Sequence, residues 1–189
     1  MIDGREAAMA QFFDALDDKL IAFIKRQPMF FIASAAAQGR INLSPKGLDT
    51  FRVISPQRCA YLDITGSGNE TAAHARADGR VTVMFCSFTR NALILRLYGR
   101  AEAGGIGGSL WQELSEHFHP YPGARQIISI RIESAQTSCG FGVPEMMLQR
   151  ERSTLSAYWL REGEDGATRY REKNNRVSID GLATGAGEG

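Results

Sequence analysis

The residues with most chemical promise are Ser44-Pro45-Lys46 and the run Asp63-Ile64-Thr65-Gly66-Ser67-Gly68-Asn69-Glu70-Thr71-Ala72-Ala73-His74. A lysine is a point charge suited to a phosphate dianion, and hydroxyl and backbone N–H donors complete such a cradle. The run follows an apolar strand signal, Cys59-Ala60-Tyr61-Leu62, and opens a short helical one. Two glycines permit tight turning, and Ser67, Asn69 and Thr71 carry hydrogen-bonding side chains. Ser67 and Glu70 have the spacing of a capping box, which predicts that each satisfies a free N–H at the helix start. A strand, a Gly/Ser turn and a helix N-terminus together suit an anion, because unpaired N–H groups and the helix dipole point at it. The expected ligand is a phosphate-bearing cofactor. The residues alone also fit a structural turn, with Lys46 as an edge-strand lysine that discourages pairing.

Other reactive residues form no comparable group. Glu70 and His74 share a helix face, while His117 and His119 point apart, so no three or four ligands stand at familiar metal spacing. Cys59, Cys86 and Cys139 contain no Cys-x-x-Cys pair. The chain has no nucleophile elbow and no Walker loop. Trp111, Tyr158 and Trp159 read as core or interface aromatics.

The elements that must position these residues follow from pattern. Phe12, Phe13, Leu16, Leu20, Phe23 and Ile24 recur at helical spacing, which predicts a helix over 5–26, ended by Pro28. Met29 to Ala37 and Ile41 to Ser44 read as a hairpin around Gln38-Gly39-Arg40. Pro45 cannot donate to a ladder, so the second strand is interrupted or lies at an edge. Further strands are expected near 49–55, 59–64, 80–87, 93–103 and 125–137. A short helix lies over 70–77, stopped by Asp78-Gly79. Ser109 caps another helix, and Pro144 opens a C-terminal one that Gly163 stops. A charged stretch follows to Asn175, and residues 183–189 are expected to be disordered. Strands at hairpin spacing favour a mostly antiparallel barrel over a doubly wound sheet.

At 189 residues the chain fits one domain and needs neither disulfide nor metal to hold its core. A net charge of +1 gives no footprint for nucleic acid or an acidic membrane. No apolar run is long enough to span a bilayer. Three scattered cysteines make the cytoplasm the default compartment.

Several blocks then occur in a telling order. They are Ser44-Pro45-Lys46-Gly47, Tyr61 through His74, Gly79 through Cys86, Leu95 through Arg100, Ser138 through Pro144, Lys173-Asn174-Asn175 and Ser178 through Leu182. Together, over about residues 28–182, they resemble the pyridoxamine 5′-phosphate oxidase-related, FMN-binding split-barrel proteins. The resemblance implies a mostly β, α+β chain. Its core would be a six-stranded antiparallel split barrel over about 28–137, with a helical extension over 144–182. It also implies a homodimer with FMN in two clefts at the interface. The flavin phosphate would fall on Lys46 and on Ser67, Gly68, Asn69, Glu70 and Thr71, with Thr65 beside them. The backbone of Leu43, Ser44 and Pro45 would lie along the isoalloxazine edge. Residues 88–91, including Arg90 and Asn91, would reach the flavin of the partner subunit.

The chain departs from the vitamin-forming oxidase itself. It lacks the Ser-Arg-Lys phosphate clamp and the arginine-bearing strand that precedes the lysine, and its C-terminal segment does not match. The resemblance therefore implies a flavin-dependent oxidoreductase whose substrate is a small molecule of unknown identity. The alternative is a barrel that binds flavin, deazaflavin or haem without turnover, as carrier or sensor.

Overall fold

The computed structural model describes residues 10–186. The strands are β1 (Gln11–Phe13), β2 (Phe30–Ser34), β3 (Asn42–Lys46), β4 (Phe51–Ser55), β5 (Arg58–Ile64), β6 (Arg80–Cys86), β7 (Ile94–Gly105) and β8 (Ala124–Ser138). The helices are α1 (Asp18–Lys25), α2 (Glu70–Ala77), α3 (Ser109–Leu114) and α4 (Thr154–Asn174).

All strand pairs are antiparallel, in the order β3-β2-β6-β7-β8-β5-β4, with β1 added along β8. Strand β8 is the spine. One side pairs with β7 along nearly its whole length, and the other pairs first with β5 and then with β1. Alternation sends Ile128, Ile130 and Ile132 of β8 into the core beside Leu95 and Leu97 of β7 and Val83 and Phe85 of β6. The sheet curls without closing. Phe30 on β2 meets Phe51 on β4 at 4.9 Å across the interior, although these strands do not pair. The result is an open, mostly antiparallel α+β split barrel.

Curling a sheet this far needs bulges. One lies between Tyr98 and Gly99, where a Cβ on Gly99 would come within 2.1 Å of the Arg131 carbonyl oxygen. Only glycine lets the backbones approach there. A second bulge, between Asp63 and Ile64, turns β5 out of the sheet where the phosphate-type turn begins. Pro45 lies on β3, an edge strand, as its missing N–H requires.

The structure corrects several boundaries. The sheet has eight strands among the described residues rather than six. The helix expected over 5–26 is confined to Asp18–Lys25, capped by the Asp17 carboxylate on the Leu20 N–H, and residues 5–9 lie outside the described range. Gln11–Phe13 instead pair with β8, because β8 outruns β5 and leaves ladder groups to satisfy. Gly104 and Gly105 extend β7, and Gly108 rather than Ser109 caps α3. Pro144 does not open a helix. Residues 144–153 have no regular structure, and α4 starts at Thr154. Gly163 does break that helix, with φ 68°. The tail expected to be disordered is fixed over 183–186: Thr184 is buried and its hydroxyl donates to the Asn175 carbonyl. Residues 187–189 lie outside the described range.

Candidate functional site

Strand β5 delivers Asp63 to the bulge at its end, with a buried carboxylate. One oxygen accepts from Lys46 Nζ at 2.8 Å. The other accepts from Arg125 Nε and Gln126 Nε2, each at 2.8 Å. Burial alone would push the Asp63 carboxyl up. The charges of Lys46 and Arg125, and their hydrogen bonds, outweigh it and hold the group well below the usual carboxylate range. Asp63 thus anchors the lysine of the edge strand to the strand that feeds the turn.

Arg125 carries the anchoring onward. Its guanidinium donates to the Gly68 carbonyl at 2.9 Å and to Asn175 Oδ1 at 2.8 Å. Asn175 Nδ2 in turn donates to the Gly66 carbonyl at 3.1 Å. The turn is therefore held through its Gly66 and Gly68 carbonyls. The capping box does not form. Asn69 is the N-cap of α2 and makes no side-chain cap, while the Glu70 carboxylate accepts from the Ile179 N–H at 3.1 Å. The first-turn N–H groups of α2 keep no intrahelical partner. The reason is that Ser67 sits too early: the helix starts at Glu70 itself.

Lys46 and the turn converge on one cleft of about 350 Å³. Its wall includes Ser44, Pro45, Lys46, Ser67, Gly68, Asn69, Glu70 and Thr71. Other expected residues stand apart. Leu43 is exposed on β3 outside the cleft. Thr65 is fully buried; its N–H donates to Gly123 and its carbonyl accepts from Trp159 Nε1 at 3.0 Å. Arg90 and Asn91 are exposed on the β6–β7 connection and do not line the cleft of their own chain.

A second polar network lies beside the cleft. Asn42 Nδ2 donates to Thr71 Oγ1 at 3.2 Å and to Ser34 Oγ at 3.1 Å, and its Oδ1 accepts from Ser44. Ser34 Oγ meets His74 Nδ1 at 3.0 Å. His74 is buried against β2 and shares no ligand geometry with Glu70, which faces the C-terminal segment.

Sequence reasoning missed Asn42, Arg125, Gln126 and Asn175, and gave Asp63 no role. The signal was present for Arg125 and Gln126. Arg125 and Gln126 directly precede the apolar pair Ile127-Ile128 in β8, and large polar residues there are buried only when paired.

The family model for pyridoxamine 5′-phosphate oxidase matches residues 16–139. A pyridoxamine 5′-phosphate oxidase family protein of Aspergillus flavus, ustO, is 37% identical over 201 residues, covering 92% of this chain and 77% of the relative. A solved candidate pyridoxamine 5′-phosphate oxidase from Lactobacillus delbrueckii shares the fold at TM-score 0.52 and 17% identity, over 65% of this chain and 94% of that one. HupZ from Group A Streptococcus, in a variant form, shares it at TM-score 0.51 and 18% identity, over 64% and 98%. With its open antiparallel sheet and this sequence match, the chain belongs to the pyridoxamine 5′-phosphate oxidase family.

Proposed function

We propose that the chain binds FMN in the Lys46 cleft and acts as a flavin-dependent oxidoreductase, as a homodimer. The observation that carries the reading is the convergence of Lys46 with the uncapped start of α2 on one cleft. The donor set fits a phosphate. Lys46 uses one N–H on Asp63 and its side chain is 25% exposed, so two donors remain for a ligand. The first-turn N–H groups of α2 and the hydroxyls of Ser67 and Thr71 would complete the cradle. Ser44 and Pro45 would stand beside the ring. A flavin bound there supplies hydride transfer, and the protein supplies binding, orientation and electrostatics.

The dimer reading rests on the outer face of the sheet. Phe31, Met84, Arg96 and Gln136 form one row across β2, β6, β7 and β8, and Ala33, Thr82, Tyr98 and Ser134 form the next. These side chains are partly exposed although their strands are central. Such a face suits a second copy better than water.

The test is direct. Purified protein should be yellow and release FMN on denaturation. Protein that stays colourless with excess FMN, and does not quench its fluorescence, would overturn the reading. A binder without turnover has one observation in its favour: Asp63, the buried carboxylate of the cleft, is locked between two cations and offers no free acid or base. Anaerobic reduction by nicotinamide nucleotides followed by catalytic reoxidation supports the enzyme, and a bound flavin inert to both supports the binder.

A further inference from the structure

We propose that residues 141–153 are an arm that lies against a second copy of this chain rather than against the molecule that carries it. The segment joins the end of β8 to the start of α4, and it lies beyond residues 16–139, which the family model matches. The proposal rests on the dimer reading and adds to it a surface outside the sheet.

Both ends of the segment are fixed. At its start Gly140, with φ 66°, backs onto the main chain of Leu93, and the Met146 N–H donates to the Phe88 carbonyl at 3.0 Å. At its far end α4 is pinned by Trp159, whose Nε1 donates to the Thr65 carbonyl and whose ring lies against Gly123, next to the opposite end of β8. The segment therefore carries the chain back along β8, which has 15 residues and is about 46 Å long. Residues 144–153 do this without a turn or a bend.

An extended segment laid on its own molecule buries every second side chain. This one buries none: every residue from 144 to 154 is exposed. Met146, Met147 and Leu148 are consecutive and stand at 56%, 81% and 59% exposure, and Phe141 before them stands at 73%. Apart from Met146, no main-chain N–H from Glu145 to Ser153 donates to a partner among the described residues. Large apolar side chains on both sides of an extended chain, with free main-chain groups between them, suit a second molecule that packs on the arm from outside. The position of the arm favours a second copy as that molecule. It leaves the sheet beside the outer face assigned to the dimer, where Arg96 of that face donates to Ser138, the last residue of β8. In a two-fold dimer one copy covers the face and the arm together.

Two measurements on the full chain test this. Peroxide oxidation of the wild-type dimer, read by peptide mass mapping, should convert Met146 and Met147 to sulfoxide at least about fivefold more slowly than in the urea-unfolded chain. Smaller protection overturns the arm and leaves the dimer reading standing. Protection of the same size after dilution to monomer would place the cover within one chain, and overturns the arm as well. The second measurement combines Met147→Asp with Leu148→Asp. Both residues are exposed, so the single chain should keep its near-ultraviolet circular dichroism. The dimer dissociation constant should rise about tenfold or more, read by light scattering on dilution. A smaller rise overturns the proposal. A wild-type chain that is already monomeric at micromolar concentration overturns the arm and the dimer reading together.

Discussion

Asp63 is the residue on which the cleft depends. It holds one partly exposed cation, Lys46, and one buried cation, Arg125, with its own carboxylate only 4% exposed. Asp63→Ala leaves Arg125 buried without its counter-charge, and unfolding in urea should show a loss of about 3–5 kcal/mol. The pH dependence has a definite sign. The native carboxyl titrates below the ordinary aspartate value, so its stabilisation is complete above about pH 3.9 and is lost as pH falls through the native value. Asp63→Asn should flatten that acid limb of the stability profile. Lys46→Ala should weaken FMN by about 1.5–3 kcal/mol, read by fluorescence quenching. Thr71→Val should cost about 1 kcal/mol of FMN binding, and because Thr71 accepts from Asn42 it should also lower stability. Unchanged FMN affinity in both variants would put the phosphate elsewhere.

Among the elements, α2 and the C-terminal segment act as a pair. Glu70, at the first position of α2, is turned away from the helix backbone and accepts from the Ile179 N–H. Asp180 accepts from the Arg40 N–H at 2.6 Å and pairs with its guanidinium, which ties the same segment to the β2–β3 turn. Glu70→Ala should therefore raise hydrogen exchange at Ile179 and its neighbours and leave the amides of β7 and β8 protected. Equal exchange in both proteins would refute the tie. Gly99→Ala tests the sheet. The new Cβ would meet the Arg131 carbonyl, so separation of β7 from β8 at the bulge should cost about 3 kcal/mol or more in thermal unfolding. Helix α1, the strands from β2 to β8 and the break at Gly163 were legible, because apolar period, proline and glycine act locally. Strand β1 was not. Phe12 and Phe13 fit a helical period as well as a strand, and only the length of β8 decides between them.

At the scale of the whole molecule, no described helix is long and apolar enough to cross a membrane. Among the described residues, one partly apolar face of the open sheet, with Phe31, Met84, Arg96 and Gln136, stays partly exposed. Met84→Glu, on that face, should convert a dimer to a monomer in size-exclusion chromatography with light scattering. If the flavin lies at the interface, the same variant should lose its colour. A wild-type protein that runs as a monomer at micromolar concentration would refute the dimer.

The sequence by itself determined the family, the mostly antiparallel character of the sheet and the two halves of the cleft, Lys46 and the Gly66–Thr71 turn. Each of these is written in short-range pattern or in block order. The tertiary structure alone decided what holds those halves together. Asp63 comes between Lys46 and Arg125 only when β3, β5 and β8 are folded, and Asn175 reaches the turn only after α4 has packed back across it. The physical reason is that burial selects partners by distance in space. A charge or amide that looks solvated in the chain becomes structural once the fold removes its water and supplies one counter-group within hydrogen-bond reach.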